Sequence, residues 1–326
     1  MRKVQREAGI FAVFAGVALI CGCGKPGTGE EEKESLKIGI SVYDQYDTFV
    51  SEMVSSFQDY AKEKEKEWGI PITLEIKSAK NSQIIQNDQM DDFIGDNFDI
   101  VCINLVDRTD ASTIIEKAKS SDIPVIFFNR ELVEEDLERW DELYYVGADA
   151  FESGQMQGEI LVEECKKNFE SIDKNGDGIL QYVMLEGEAG HNDSMVRSMA
   201  VINEVTDSGY LVEKLEDGIA NWNRALGAID TLKDFGMSES DEDWPVVLGI
   251  DGTVVGLDAV KKGEMLGTVL NDFRGQAQGM LELAYSIKTE KPLPEEFELS
   301  DGKYIRLPYK IVTEDNLGEV QMELME

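Results

Sequence analysis

Short apolar segments alternate with helical segments along nearly the whole chain, and this alternation limits the possible folds more than any other pattern. The first predicted series has strands at residues 37–42, 72–76, 99–103 and 124–128, and helices at 49–68, 84–94 and 112–119. The second has strands at 144–146, 181–185, 210–215, 246–250, 267–270 and 305–312, and helices at 152–167, 193–206, 224–235 and 276–288. Such a rhythm predicts an α/β fold with two doubly wound, parallel-sheet domains. Ligands of such sheets bind beyond the carboxyl ends of the strands.

The N-terminal segment has the pattern of an export signal. Basic residues precede an apolar stretch at 9–20, which is too short to span a membrane comfortably. Gly22 then stands directly before Cys23, as in a bacterial lipobox. We therefore expect residues 1–23 to be a lipoprotein signal ending at an acylated Cys23, with residues 24–36 as a flexible tether. A plain signal peptide with an incidental cysteine is the alternative.

Charge and cysteine content exclude several classes of function. Acidic residues outnumber basic ones by 66 to 31, and the net charge is -35. Nucleic acids and anionic membrane surfaces are therefore poor partners. In the part of the chain expected to fold, Cys102 lies in an apolar strand and Cys165 on a charged helix, without metal-ligand spacing. Two idle thiols are a better expectation than a disulfide.

Residues 173–181 read DKNGDGILQ, which matches the first nine positions of a calcium loop. The oxygen donors of this pattern are Asp173, Asn175, Asp177, the carbonyl of Ile179 and the side chain of Gln181. Position 12 is Met184, where an EF-hand has a bidentate glutamate, and it lies in a predicted strand. The loop therefore predicts a Ca²⁺ site that leads into a sheet and takes any further carboxylate from elsewhere. A chance match without metal is the alternative.

Polar and aromatic residues follow the ends of several predicted strands. They are Asp47, Phe49, Asn104, His191, Asp193, Arg197, Trp222, Asp251 and Asn271. Carboxylates, amides and guanidinium groups match sugar hydroxyls, which both donate and accept, and aromatic rings stack on the apolar faces of a pyranose. Each residue alone also fits a cap, a turn or core packing. Together they favour a sugar site at one edge of the sheets.

An ordered set of motifs carries a family resemblance from about residue 37 to the C-terminus. The motifs are YDQYDTF, INLVD, PVIFFN, YYVGAD, ESG, DKNGDGILQ, GEAGHND with Arg197, GIDG, GTVLND and RLPY. In this order they resemble the periplasmic galactose/glucose-binding proteins, the solute receptors of ABC sugar importers. The resemblance implies a type I periplasmic binding protein fold, with two lobes joined by three crossings and the sugar in the cleft between them.

The resemblance also implies roles, partners and lobe boundaries. It assigns sugar hydrogen bonds to Asp47, Asn104, His191, Asp193, Arg197, Asp251 and Asn271, and a stacking pair to Phe49 and Trp222. On this basis the first lobe comprises residues 37–123 and 271–307, and the second comprises 124–270 and 308–326 with the calcium loop. The implied protein is a monomeric, lipid-anchored, extracytoplasmic receptor that passes galactose or glucose to an ABC permease and is not an enzyme.

The sequence departs from the family between Trp222 and Val246. The family has two helices and an intervening strand here, whereas this chain has one predicted helix. The absent strand carries the family's distant calcium glutamate and one sugar-binding asparagine. Three accounts remain open: a shortened receptor with a repaired sheet, a decayed or misassembled gene product, or substitution of the glutamate by an acid of residues 238–243.

Other functions fit the sequence less well. A hydrolase could use His191 and Asp193, but no GxSxG or HExxH motif is present. A transcription regulator of this fold needs a basic DNA-binding head, and the chain has a lipobox and strong negative charge instead. A sensor role and a degenerate receptor without sugar binding are both compatible with the sequence. The missing strand makes the degenerate receptor a real competitor of the receptor interpretation.

Overall fold

The computed structural model describes residues 35–188, 191–220 and 226–324. The strands are β1 (Leu36–Val42), β2 (Ile72–Ser78), β3 (Ile100–Ile103), β4 (Val125–Phe128), β5 (Leu143–Gly147), β6 (Ile179–Glu186), β7 (Leu211–Ile219), β8 (Leu248–Asp251), β9 (Gly267–Leu270), β10 (Tyr304–Arg306) and β11 (Lys310–Thr313). The helices are α1 (Thr48–Trp68), α2 (Gln83–Gly95), α3 (Ser112–Ser121), α4 (Glu134–Leu137), α5 (Ala150–Asn168), α6 (Asn192–Asp207), α7 (Leu226–Asp234), α8 (Val254–Lys261), α9 (Phe273–Thr289) and α10 (Leu317–Glu323). The predicted signal segment, Cys23 and Trp222 lie outside the described residues.

The first lobe is built on a six-stranded sheet in the order β10-β5-β4-β3-β1-β2. All its pairings are parallel. Apolar side chains of α1 and α9 pack with strand residues into one core. Side chains of α2 and α3 form a second core that includes residues of β3, β4 and β5. Burial on both faces explains why the central strands β3 and β4 read as continuous apolar runs.

One predicted lobe boundary and one predicted strand differ from the structure. We expected the first lobe to give way to the second after residue 123, but β4 and β5 pair within the first sheet. The chain therefore leaves the first lobe only after Gly147, because residues 125–128 and 143–147 complete this sheet. The single strand expected at 305–312 is two strands. β10 pairs with β5 in the first lobe, and β11 pairs with β9 in the second.

The strands of the second lobe form two separate sheets. β8, β9 and β11 form one, in which β11 is antiparallel to β9. β6 and β7 form a parallel pair with a register shift between Tyr182 and Val183. Helices α5 and α6 carry much of the packing around these strands, including a core of Val162, Cys165, Leu180 and Val205. Cys102 and Cys165 are both buried free thiols.

The second lobe has a gap between its two sheets. Within the described residues, β6 pairs only with β7, and β8 pairs only with β9. One edge of β6 and one edge of β8 therefore have no described strand beside them. The predicted loss of one strand agrees with this split, but none of the strands that the structure describes has moved across to repair the sheet. The account of a shortened receptor with a repaired sheet therefore does not describe this structure.

Close packing of α5 against α6 fixes the position of the second lobe's longest helices. Gly154 and Gly158 face α6, where a Cβ on Gly154 would lie 2.4 Å from the backbone oxygen of Arg197. A Cβ on Gly158 would lie 2.5 Å from Cβ of Glu204. Only glycine permits so close an approach of the two helices. This approach sets the distance of Arg197 on α6 from α5. Among the described residues, no helix is both long and apolar enough to cross a membrane.

We expect Gly154→Ala to destabilise the protein by about 1–3 kcal/mol, because the added methyl group forces α5 and α6 apart. Chemical denaturation measures this loss. The matched control is Gly95→Ala, where nothing lies within 4 Å of the new Cβ. The control should be neutral or stabilising by up to about 1 kcal/mol, since alanine is the better helix former. Equal stability of the two variants would contradict the packing argument.

Candidate functional site

A single cavity of about 1080 Å³ collects most of the residues that the sequence predicts as sugar ligands. Its lining includes Asp47, Phe49, His191, Asp193, Arg197, Asp251 and Asn271. Asp47 and Phe49 follow β1 of the first lobe, whereas the others follow strands of the second. The cavity therefore lies between the lobes, at the carboxyl ends of parallel strands, where an α/β fold places its ligands.

Arg197 is the central charge of the second-lobe wall. Its Nε donates to Oγ of Ser153 on α5 at 2.7 Å, which orients the guanidinium group. Burial opposes its charge, but Tyr309, Asp251 and Asp193 outweigh burial and raise its pKa. Arg197 is thus a fixed cation with carboxylates around it. Such a group can donate two parallel hydrogen bonds to adjacent hydroxyls of a ring.

Asp251 ends β8 in a conformation that non-glycine residues seldom adopt. Its φ is +74°, in the left-handed region. Burial raises the pKa of Asp251 to about 6, with a further contribution from Asp47, while Arg197 and a hydrogen bond from Asn271 act in the opposite direction. Strained backbone and a perturbed carboxyl group in a cleft both favour a binding role over a structural one.

Asp47 combines two roles. Its Oδ1 accepts from the backbone N–H of Val50 at 2.9 Å and so caps α1. Its Oδ2 accepts from the hydroxyl of Tyr43 at 2.6 Å. The cap interpretation of Asp47 is therefore correct, yet the residue also lines the cavity. Burial, with Asp47 nearby, raises the pKa of Tyr43, so the phenol stays neutral and keeps its donor.

His191 stands just before α6 and is neutral at physiological pH. Burial, with Arg130 nearby, lowers its pKa to about 4. Its Nδ1 accepts from the backbone N–H of Asp193 at 3.3 Å, which caps the helix. In a hydrolase triad, Nδ1 of the histidine carries a proton and donates it to the carboxylate. Here Nδ1 of His191 is an acceptor, so it makes no such bond to the Asp193 carboxylate. Burial raises the pKa of Asp193, which Arg197 partly offsets.

Asn104 is set apart from the other predicted ligands. It is fully buried and does not line the cavity. Its Nδ2 donates at 3.1 Å to the carbonyl of Phe128 and at 3.1 Å to Oδ1 of Asn129. Asn129 does line the cavity, and its φ is +60°. The structure thus gives Asn104 the position of a support and brings Asn129 to the cavity wall.

Arg130 connects the lobes across the rim of the cavity. Its guanidinium carbon lies 3.6 Å from the ring centroid of Tyr43. One nitrogen donates to the carbonyl of Val106 at 2.9 Å, within the first lobe. The other donates at 2.9 Å to Oε2 of Glu188, which follows β6 in the second lobe. Arg130 therefore makes both an ion pair and a cation–π contact at the cleft.

Asn129, Arg130, Gln276 and Tyr309 are among the residues of the cavity wall that sequence reasoning missed. Asn129 and Arg130 directly follow the PVIFF strand, and Tyr309 ends the RLPY motif. Their positions in the sequence could therefore have identified all three residues. Gln276 gave none, because it lies inside the helical pattern of α9. Its Nε2 donates to Oδ1 of Asn271 at 2.6 Å. Among the described residues, Oε1 of Gln276 and Oγ1 of Thr268 are buried without a hydrogen-bond partner, so both can receive a ligand hydroxyl.

The calcium-type loop is folded around its carboxylates. Asp173 accepts from the backbone N–H groups of Gly176 and Gly178 at 3.0 and 2.8 Å. Both glycines have positive φ. Nδ2 of Asn175 and Nε2 of Gln181 donate to Oδ2 of Asp177 at 2.9 and 3.1 Å. The predicted side chains are thus together, and all of them offer the oxygen donors that Ca²⁺ prefers.

Among the residues that the structure describes, no third carboxylate joins Asp173 and Asp177 at the loop. Lys174 Nζ donates to the carbonyl of Glu242 at 2.6 Å, so residues 238–243 reach the loop through their backbone. In the described parts of the chain, no group of three or more His, Cys, Asp or Glu is placed to hold a metal ion. The account in which an acid of 238–243 replaces the missing glutamate therefore has no support there. The oxygen donors of the loop are of the type that Ca²⁺ prefers, but the loop supplies fewer carboxylates than a complete calcium site of this kind has.

Comparisons with known proteins agree with this geometry. Residues 38–227, more than half of the chain, match the family described as periplasmic binding protein domain. The chain belongs to the periplasmic binding protein family. It is 34% identical over 311 residues to the D-galactose/methyl-galactoside binding periplasmic protein MglB of Haemophilus influenzae, covering 87% of this chain and 91% of that protein. The family resemblance seen in the sequence is thereby confirmed, and membership places the protein among binding proteins and not among enzymes.

Solved structures confirm the type I fold of this periplasmic binding protein. An ABC transporter solute-binding protein of Bacillus halodurans with bound myo-inositol has a TM-score of 0.68 at 22% identity, covering 90% of this chain and 99% of that one. One from Actinobacillus succinogenes with bound D-allose has a TM-score of 0.71 at 17% identity, covering 87% and 100%. At these identities the likeness concerns the fold alone.

Proposed function

We propose that this periplasmic binding protein binds an aldohexose, D-galactose or D-glucose, between its lobes and delivers it to the permease of an ABC transporter. The observation that carries the proposal is the cluster of Asp193, Arg197 and Asp251 on one wall, with Asp47 facing it across the cavity. Fixed acceptors and a fixed cation around a closed volume suit a ring that bears several hydroxyls.

The relatives support this substrate class. The Haemophilus relative is described as binding D-galactose and methyl-galactoside. The two solved structures hold a cyclic polyol and a hexose. These ligands share a ring with hydroxyl groups at its edge, for which polar groups around an interlobe cleft are suited. Galactose or glucose is the finer part of the proposal, and it rests on the sequence similarity.

Isothermal titration calorimetry tests the function. D-galactose, D-glucose, D-allose and myo-inositol are titrated into the protein. Saturable binding of galactose or glucose, tighter than that of allose or inositol, is expected. Binding of inositol alone would replace the hexose with a cyclitol. No heat with any of them, from protein that unfolds cooperatively, would overturn the proposal.

The split second sheet supports a second candidate, a degenerate or sensor-type member of the fold with altered or lost sugar binding. The unpaired edges of β6 and β8 leave the second wall less constrained than an intact sheet would. The same titration separates the two candidates. A protein that unfolds cooperatively but binds none of the four ligands is the result that this candidate predicts.

We also propose that the mature protein is a monomer, anchored outside the cytoplasm by a lipid on Cys23. The basis is the lipobox pattern in the sequence together with membership of an extracytoplasmic family. Mass spectrometry of the N-terminal peptide from membrane fractions is the test. An acylated Cys23 at the mature N-terminus is expected, and an unmodified cysteine would contradict the anchor.

We propose calcium as a structural ligand of the 173–181 loop, and we expect it to raise the midpoint of thermal unfolding relative to EGTA. A ligand at 100 times its Kd stabilises the folded state by about 2.7 kcal/mol. Asp177→Asn should remove most of this shift, since it neutralises a carboxylate that Asn175 and Gln181 both contact. Asp207→Asn, outside the loop, is the control and should retain the shift. Equal midpoints in calcium and EGTA would contradict the assignment.

A further inference from the structure

Beyond the site between the lobes, the cavity continues along the edges of two strands of the second lobe. Residues 180–187 line it one after another from the β6 side, and residues 245–251 do so from the β8 side. A strand face would contribute only alternate residues, because successive side chains point to opposite sides of a sheet. We call the space between these two edges the strand slot. It is the position that one further strand would occupy in a continuous second sheet.

The strand slot is a long extension of the sugar cleft. At about 3.3 Å per residue, an edge of eight residues runs for roughly 25 Å. At one end stand Asp251 and Asn271, which belong to the proposed hexose site. At the other end, Lys174 donates to the Glu242 carbonyl and bridges the two sides of the slot. The total volume of about 1080 Å³ is at the upper limit of pockets for drug-sized ligands, and a single sugar ring leaves much of it unfilled.

The chemistry of the lining changes along the slot. The end of the slot that opens into the cleft between the lobes is lined by polar and charged groups. The remainder is lined mainly by apolar side chains, among them Leu180, Met184, Val201, Val205, Leu232 and Leu248. The carbonyl of Gly249 on the β8 edge is already satisfied by Nε2 of Gln157 at 2.7 Å. The slot therefore offers a chamber of mainly apolar side chains, with backbone groups of the two strand edges between them, directly behind a hexose site.

We propose that this chamber takes the apolar aglycone of a hexoside whose sugar ring occupies the proposed site between the lobes. The inference rests on the proposed hexose function and extends it to alkyl or aryl glycosides. One ligand then meets both chemistries of the cavity, with its hydroxyls at the charged end and its hydrocarbon in the slot. Burial of hydrocarbon stabilises binding, so affinity rises with the length of the aglycone.

Calorimetric titration of the full chain with D-galactose, methyl β-D-galactoside and n-hexyl β-D-galactoside tests the proposal. Each fully buried methylene increases affinity by about fourfold, equivalent to 0.8 kcal/mol. We expect the hexyl glycoside to bind at least tenfold more tightly than the methyl glycoside. Equal or weaker binding of the hexyl glycoside, while galactose binds, overturns the chamber and leaves the hexose function intact. Absence of binding by all three ligands overturns both.

Variants on α6 and α7 separate the slot from the sugar site. Val201→Asp places a charge in the slot and should remove the hexyl advantage while methyl galactoside still binds. Met199→Asp is the matched control, because Met199 is exposed and does not line the cavity. Ala228→Phe fills the slot without adding charge and should have the same effect as Val201→Asp. A hexyl advantage that survives both slot variants, or a tighter complex with a galactosyl disaccharide than with the hexyl glycoside, contradicts the proposal.

Discussion

Replacing Asp251 with asparagine is expected to reduce hexose affinity about a hundredfold, since hydrogen bonds to a charged group are worth about 1.5–3 kcal/mol each. The substitution keeps the size of the side chain and removes its charge. Asparagine also tolerates the positive φ of this position, so the fold should be retained. Calorimetric titration with galactose and glucose measures the loss.

The control for Asp251 is Asp301→Asn. Asp301 also has a positive φ, of +52°, but it lies in an exposed turn. Its replacement should leave affinity unchanged, which separates the effect of charge from that of backbone conformation. If the two variants bind sugar equally well, Asp251 is not a ligand and the orientation of the site must be different.

The raised pKa of Asp251 gives the same interaction a pH dependence. With a pKa of about 6, the carboxylate is mostly ionised at pH 8 and mostly protonated at pH 5. Sugar hydroxyls bind the ionised form better, so affinity should fall by about tenfold between these pH values. In Asp251→Asn this pH dependence should disappear. A wild-type affinity that does not change from pH 8 to pH 5 would contradict the ionised-acceptor role.

Arg197→Met is expected to produce the largest loss of stability. Removing one partner from a buried charge cluster costs about 3–5 kcal/mol in a dry site, and the partial exposure of Arg197 to the cavity reduces the cost to roughly 2–3 kcal/mol. Arg197 lowers the pKa of both Asp193 and Asp251. Without it, their folded-state pKa values rise further above the unfolded values. Denaturant unfolding curves measure the loss.

The sign of the pH effect in Arg197→Met follows from these carboxyl groups. A carboxyl whose pKa is raised by folding binds its proton more tightly in the folded state, so protonation stabilises the fold as the pH falls through the folded pKa. The cost of the variant should therefore be greatest near pH 8 and smaller near pH 5. Lys166→Met, which removes an exposed partner of Glu163, is the control and should leave the stability nearly unchanged, because water and salt screen a pair at the surface. A cost that does not depend on pH would contradict the cluster.

The sequence predicted the order and type of most elements but not their assignment to lobes. An apolar strand such as PVIFF predicts burial on both faces, and this pattern is the same in either parallel sheet. Its partner strands decide the lobe, and they are distant in the chain. α8 was missed because it is short and begins just after Asp251, although Thr253 supplies a cap at its start.

Most of the candidate site was predictable because polar residues after strand ends converge in this fold. Asn104 shows the limit of that argument: the sequence marks a residue at a strand end but not the direction in which its side chain points. The split sheet shows a second limit of prediction from sequence. The missing strand was readable, but whether β6 moves toward β8 depends on packing. α5 holds Ile160 in a core with Val269 and Tyr309, and the glycines on the other side of α5 fix α6.

The ion pair between Arg130 and Glu188 affects the population of the closed state, in which the two lobes are in contact, when no ligand is bound. Arg130 is anchored in the first lobe by Val106 and Tyr43, so it loses little freedom when it reaches Glu188. Glu188 is 47% exposed, and pairs of this kind contribute up to about 1 kcal/mol. That energy enlarges the closed fraction of empty protein by up to about fivefold. Because salt screens an exposed ion pair, raising the ionic strength should lower the closed fraction of empty protein and so enlarge its difference from sugar-loaded protein.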